Sequence, residues 1–245
     1  MDYSHVLISR PEPEATELEQ MITGLGLDVL STPAFAFDTS FPGLEFSTVW
    51  TEDERRLAIF SSSRAVEFGL RQLPAGFLDG VEISAIGPAT ATALEAAGYT
   101  VTIVPQGEFN SETLLLHAEV VNQPGKALIF AAPGGRQKLF TGLQEIGWEV
   151  QFAHVYRTVA IKPDNNIIEN ILKSRQVLSV WTSANALKLL SKTLDANAWA
   201  KICQGDFLVT SARLAKIAQD HAPENIYVTD GPGNDAIRNC IAQLI

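Results

Sequence analysis

Four short stretches place hydroxyl or glycine residues where a strand pattern gives way to a helical one: SSSR at 61–64, GPAT at 87–90, TSAN at 182–185 and TSAR at 210–213. Ser, Thr and Asn accept hydrogen bonds from first-turn helix amides, so each turn can cap its helix. The same turn can also aim backbone N–H groups at an anion. Taken singly, capping accounts for each of them. Four in corresponding places describe two sets of donor nests of carboxylate size, at the end of the strands where open parallel sheets bind ligands. A cleft between two such sets is the expected binding place.

Arg10 follows the first strand pattern and precedes Pro11, so its guanidinium either faces the same end or lies on open surface. Tyr156 stands between His154 and Arg157 in an extended segment, where packing is the commoner role of a half-buried tyrosine. AAPGGRQ at 131–137 sets two glycines before a helix with Arg136 close by. It lacks the GK[ST] ending of a phosphate loop, and no G-x-G-x-x-G follows a strand, so neither ATP nor NAD is supported.

Other chemistries find little. The two cysteines, Cys203 and Cys240, are far apart and give no disulfide framework. The four histidines show no paired spacing with each other or with cysteine, so no metal is expected. No Ser-His-Asp order or paired-acid motif is visible, which leaves nucleophilic catalysis unsupported. A formal charge of −10 argues against nucleic acid, and a polyanionic ligand would need backbone amides, helix N-termini and a few local arginines. No apolar run reaches the roughly 18 residues of a membrane span, and the first residues do not read as a signal peptide. A cytoplasmic location is therefore expected.

The elements that must position these residues alternate. Strand patterns (HVLIS, LDVLS, RLAIFSS, VEISAIG, TVTIVP, KALIFAA, WEVQFAHVY, QVLSVWTS, DFLVTS, NIYVTD) are separated by helical periodicity near 13–25, 64–72, 89–97, 111–121, 136–146, 184–193, 212–220 and 234–244. This predicts parallel sheets covered on both faces. An internal repeat adds to it: residues 6–30 align with 127–151, setting Gly26 against Gly147, and IFSSSRAVEFGL aligns with VWTSANALKLL, setting Ser62 against Ser183. Both alignments share one offset of 121 residues (26 to 147, 62 to 183), so two similar α/β units are expected. Simple duplication would divide the chain near residue 122. Alternatively TPAFAFD (32–38) and FAHVYRTVAI (152–161) pair as a connector and the middle of the chain is an insertion.

At these residues the chain resembles the uroporphyrinogen-III synthase family across nearly its full length. The resemblance rests on the order and spacing of VLISRP, IFSSSRAV, IGPATATAL with the following GY, FNSETLL, GGRQKLF, AHVYRT, WTSANAL and VTSARLA. It implies two α/β domains, one inserted in the other through a two-stranded ladder. The domains are then 1–33 with 160–245, and 39–153, with 34–38 and 154–159 as connector strands. It implies no cofactor, a polycarboxylate substrate held largely by backbone amides near hydroxyl residues, and a binding cleft between the lobes. Ser62, Ser63, Thr90, Ser183, Asn185 and Ser211 fall on the cleft turns, with Arg10 added from its position. Tyr156 falls on the tyrosine discussed as general acid. SSSR departs from the Thr-Ser of many members, keeping a donor and dropping a methyl group.

The activity implied is closure of hydroxymethylbilane to uroporphyrinogen III with loss of water. Ring A loses its hydroxyl to give an azafulvene, the substituted carbon of ring D attacks, and ring D inverts through a spiro intermediate. A monomer acting on a small-molecule substrate is expected. Two readings from other classes are a solute-binding module that closes on a small anion, and a regulatory protein with a receiver-like domain. The second lacks an acidic cluster at the end of its first strand, where LISRP offers Arg10.

Overall fold

The computed structural model describes residues 3–12, 14–40, 50 and 54–245. Pro13, in the helix expected near 13–25, and residues 41–49 and 51–53, in the expected 39–153 domain, lie outside the described residues. The chain divides into two compact units, Met1–Ala36 with Val159–Ile245, and Phe37–Thr158.

Along the chain run β1 (His5–Ile8), α1 (Glu14–Thr23), β2 (Asp28–Ser31), β3 (Phe35–Asp38), β4 (Arg56–Phe60), α2 (Ser63–Leu70), β5 (Glu82–Ala85) and α3 (Pro88–Ala96). Next come α4 (Ser111–Leu115), α5 (Ala118–Val121), β6 (Lys126–Ala131), α6 (Gln137–Glu145), β7 (Glu149–His154) and β8 (Arg157–Ala160). The chain finishes with α7 (Asn165–Lys173), β9 (Val177–Trp181), α8 (Ala184–Thr193), α9 (Ala196–Cys203), β10 (Asp206–Val209), α10 (Ala212–Ala218), β11 (Ile226–Val228) and α11 (Asn234–Leu244).

The first unit holds a sheet in the order β11-β10-β9-β1-β2, and the second a sheet in the order β5-β4-β6-β7. Every pair in both sheets is parallel; His5 sits beside Val177 and Asp28, and Phe60 beside Phe130 and Ala85. Parallel strands are buried on both faces, which is why β9 (VLSVW) and the last five residues of β6 (KALIFA) are buried throughout. Successive side chains alternate between faces. Val6 and Ile8 enter one core with Leu18 and Ile22 of α1 and Ile237 and Ile241 of α11, while Leu7 enters another with Leu187 and Leu190 of α8. In the second unit Ala58 and Phe60 face the core of α2 and α3, and Leu57 and Ile59 face Leu139 and Leu143 of α6. Each fully buried Leu, Ile or Phe contributes about 1.5–3 kcal/mol relative to exposure.

The two units share one arrangement. Gly26 after α1 and Gly147 after α6 both take left-handed backbone (φ +82° and +97°), where a Cβ would be strained, and each leads into the next strand. Ser62 and Ser183 occupy the same cap position before α2 and α8. β3 and β8 pair as a separate two-stranded sheet, and the division between the units falls within both strands.

Some elements differ from the expectation. TVTIVP forms only a parallel bridge from Ile103 to Ser84, and Pro105 soon removes a donor needed to continue. The helix expected over 111–121 breaks after Leu115, because His117 caps a second helix, its Nδ1 accepting from Glu119 N at 3.3 Å. α7 and α9 are two helices beyond those expected. The first carries three asparagines, poor helix formers, and both start from an Asp cap, Asp164 and Asp195. The extended segment 152–161 is two strands, β7 ending at His154 and β8 starting at Arg157. Among the described residues no helix is long and apolar enough to cross a membrane.

Gly205 lies close against a neighbouring strand: a Cβ there would stand 2.1 Å from the Val177 carbonyl oxygen. Gly205→Ala is expected to lower unfolding free energy by about 2–3 kcal/mol, since backbone must move. Gly231, with open space around it, should accept alanine within about 0.5 kcal/mol. Urea denaturation of both variants checks this, and equal stability would refute it.

Candidate functional site

Within each sheet, the helices that directly follow a strand begin at one end of that sheet, so their first-turn amides gather there unit by unit. In the first unit the turns after β9 and β10 face each other across a hollow of about 260 Å³, lined by Thr182, Ser183, Ala184, Ser211, Arg213, Leu214 and Ile217. Ser183 Oγ accepts from Ala186 N at 3.1 Å and Ser211 Oγ accepts from Leu214 N at 3.2 Å. A capping hydroxyl uses an oxygen lone pair, which leaves its own O–H free to donate. Capping and ligand binding are therefore compatible in one residue. The amides of Ala184 and Asn185, and of Ala212 and Arg213, lie in the first turns, where a helix leaves N–H groups without an internal partner. Asn185 is exposed in the first turn of α8 and does not line the hollow.

Arg10 sits elsewhere in this unit. Its guanidinium donates to Asn234 Oδ1 and to the Pro232 carbonyl at 2.9 Å, while Asn234 Nδ2 donates to Glu17 at 2.6 Å. It therefore braces the loop before α11.

In the second unit Ser62 Oγ accepts from Ala65 N at 3.1 Å, repeating the Ser183 cap. Ser63 differs. Its hydroxyl donates to the Ala89 carbonyl at 3.1 Å, joining the SSSR turn to the GPAT turn and committing its proton to that bond. Gly87 caps α3 without a side chain, and Thr90, only 5% exposed, donates its N–H to the Gly87 carbonyl at 3.0 Å. Arg136 holds left-handed backbone (φ 59°) at the start of α6 and donates to the Ser61 carbonyl at 3.3 Å. A non-glycine residue in that region carries a cost of roughly 1 kcal/mol or more, which marks this turn as over-determined by its surroundings.

Tyr156 follows β7 and is half-buried among aromatic rings. Its ring meets Phe37 edge-on at 5.5 Å and lies 5.4 Å from Phe68 of α2. Arg64 stacks over Phe37 at 4.8 Å and pairs with Glu67. The phenol oxygen makes no hydrogen bond among the described residues, so its O–H is available to a ligand. Next to this pair, Asp38 and Arg157 bridge β3 and β8 at 2.6 Å. Hydrogen bonds from the Ser40 hydroxyl and amide, followed by Arg157, hold the Asp38 carboxyl down to about 2.

The structure thus brings Ser183 and Ser211 together around one hollow, and links Ser63 to the Thr90 turn. Arg10 and Asn185 stand outside the hollow. Arg213 was visible only as the last letter of TSAR; its place on the hollow depends on how β9 and β10 pair. Phe37 and Phe68 carried no sequence signal, because they reach Tyr156 from distant segments. Among the described residues no group of three His, Cys, Asp or Glu is placed to hold a metal.

Comparison with known proteins gives a consistent result. The family model described as "Uroporphyrinogen-III synthase HemD" matches residues 16–238. The chain is 31% identical to the uroporphyrinogen-III synthase of Escherichia coli K12 over 95% of its own length and 97% of that protein. It is 32% identical to the protein of the same name from Salmonella typhimurium LT2, again over 95% and 97%. Among solved structures, uroporphyrinogen-III synthetase from Helicobacter pylori 26695 superposes with a TM-score of 0.62 at 16% identity, covering 98% of this chain and 99% of that one. A mutant uroporphyrinogen III synthase from Thermus thermophilus superposes at 0.60, also at 16% identity and covering 98% of each chain. At that identity the structures speak for the fold alone.

The Asp38 carboxyl has a lower pKa in the folded chain than in the unfolded one. Its contribution to stability is therefore present above about pH 4, the unfolded value, and is lost as pH falls through about 2. Carboxyl-detected NMR titration should place Asp38 near that value, and Arg157→Gln should raise it. A midpoint near 4 in the intact protein would refute the Ser40 and Arg157 contacts together, and an unchanged midpoint in Arg157→Gln would refute the bridge.

Proposed function

Because the chain belongs to the uroporphyrinogen-III synthase family, we propose that its hydroxyl turns hold the carboxylates of the linear tetrapyrrole while Tyr156 gives a proton to the departing hydroxyl of ring A. The activity is that of a cyclising hydro-lyase of tetrapyrrole biosynthesis, converting hydroxymethylbilane to uroporphyrinogen III with loss of water and inversion of ring D through a spiro intermediate.

The observation that carries the substrate reading is the hollow lined by Ser183, Ser211 and Arg213, where two capping hydroxyls each keep an O–H free and an arginine is among the lining residues. Donors of this kind bind a carboxylate well even on a chain of net charge −10, because amide, hydroxyl and guanidinium act at contact range. In the second unit Ser62 repeats the geometry. Ser63, whose proton is spent on Ala89, offers its backbone amide, and Thr90 is assigned to the same turn pair. Asn185 adds a first-turn amide to the α8 turn. Arg10 acts at one remove, by bracing the loop before α11.

The chemistry asks little covalent work of the protein. Loss of the ring A hydroxyl leaves an azafulvene that is reactive on its own, so holding ring D with its substituted carbon against that centre supplies several kcal/mol through orientation. A phenol placed to protonate the leaving hydroxyl adds roughly 10²- to 10⁴-fold. Tyr156 has its O–H uncommitted and its ring fixed by Phe37 and Phe68, as a proton donor needs. The reading takes the working form to be a cytoplasmic monomer, and a dimer in sedimentation would revise it.

Tyr156→Phe keeps the ring packing and removes the donor. Single-turnover closure of hydroxymethylbilane is expected to slow by roughly 10²-fold with little change in melting temperature. Inverted product formed at the normal rate would take Tyr156 out of the mechanism. Only the spontaneous, uninverted isomer from the unaltered protein would make it a binding module. For the hollow, Arg213→Gln should raise KM by roughly 3- to 10-fold and leave kcat nearly unchanged, the pattern of lost uniform binding. An unchanged KM would remove Arg213 from the substrate site.

A further inference from the structure

We infer that Gln72, just past the end of α2, is a positioning residue for Tyr156; this rests on the reading of Tyr156 as the proton donor. The Gln72 amide nitrogen donates to the Val155 carbonyl at 2.7 Å and to the Phe68 carbonyl at 2.9 Å. Both partners are carbonyl oxygens, so only the NH₂ end of the amide satisfies them, and the side-chain orientation is determined.

Val155 lies between β7 and β8, where the sheet that fixes β7 has just ended. Its N–H donates to the Ala131 carbonyl at 3.2 Å, and its carbonyl is the one that Gln72 holds. The peptide unit that leads into Tyr156 is therefore fixed on its carbonyl side by Gln72. Phe68, whose carbonyl shares the same amide, also packs its ring 5.4 Å from the Tyr156 ring. One end of α2 thus sets the backbone before the tyrosine with an amide and the face of the tyrosine with a ring. The other end of α2 carries Ser62 and Ser63.

A phenol that must meet a leaving oxygen within hydrogen-bond reach tolerates little drift of its Cα. With Gln72 unable to donate, the Val155 carbonyl is released and Tyr156 keeps its ring contacts but loses its anchored backbone. The loss then falls on the proton-transfer step and spares substrate affinity.

The test is a double-mutant cycle on single-turnover closure of hydroxymethylbilane, with KM measured alongside. Gln72→Met removes both donors at similar length, and Gln72→Glu keeps the shape while setting an acceptor against two carbonyls. Each is expected to slow closure by roughly tenfold with KM within about twofold. In the Tyr156→Phe background neither should slow it further. If Gln72→Met fails to fold, Gln72→Glu carries the cycle alone. Normal closure rates in both Gln72 variants, with Tyr156→Phe slow, would overturn the inference and leave the proton-donor reading intact. Rate losses that multiply in the double variants would also overturn it, showing that Gln72 acts independently of the tyrosine. Tyr156→Phe closing at the normal rate would sink the proton-donor reading and this inference with it.

Discussion

Parallel strand pairing is the constraint from which the rest of this molecule follows. Every strand of the two larger sheets runs the same way as its neighbours, so every helix that follows a strand starts at one end of its sheet. The orphan amides of those first turns must find partners, and Ser62, Ser183 and Ser211 each satisfy one with a hydroxyl oxygen. The chemistry of a cap and that of an anion site are thus the same chemistry, with one proton left over. An antiparallel arrangement would divide these turns between opposite ends of each sheet and leave no shared site.

The alternation of strand and helix, and the repeat offset of 121 residues, were legible because both arise from local patterns. Burial on both faces makes strands such as RLAIF and KALIFA easy to see as short continuous apolar runs, and the left-handed glycines 26 and 147 punctuate the chain at matching points. α7 and α9 were missed although each carries a short apolar face, Ile167, Ile168 and Ile171 in the first and Ala198 and Ile202 in the second, because so few positions in helices of nine and eight residues make a weak pattern. Nor was the fate of TVTIVP, where an edge bridge at Ile103 takes the place of a full strand.

Site residues divide in the same way. Turn residues could be named from sequence because capping is local. What each hydroxyl does with its proton could not, and Ser62 and Ser63 show the difference: adjacent residues of one type, one with its O–H free and the other bound to Ala89. For Arg10 the sequence left two placements open, facing the ligand end or open surface, and did not contain its partners Asn234 and Pro232, more than two hundred residues further along the chain. The surroundings of Tyr156 are equally non-local, coming from Phe37 and Phe68 on separate elements. Proton allocation and long-range partners are tertiary facts, and a linear pattern does not contain them.

The order of elements along the chain bears on how the molecule is made. All strands of the second unit's sheet lie within one continuous stretch from Arg56 to His154, so that sheet can close as soon as this stretch has left the ribosome. β1 and β2 precede the other strands of their sheet, but β1 is an interior strand of it and its other neighbour, β9, begins only at Val177. During synthesis the earliest pair must wait, one buried strand edge unsatisfied, while more than a hundred residues are added and fold. Closing that long loop late is slow, and the waiting edge is the surface on which a nascent chain is most open to mispairing. The interrupted unit therefore carries more of the hazard in biogenesis, and chaperone demand should concentrate on the segment that holds β1 and β2.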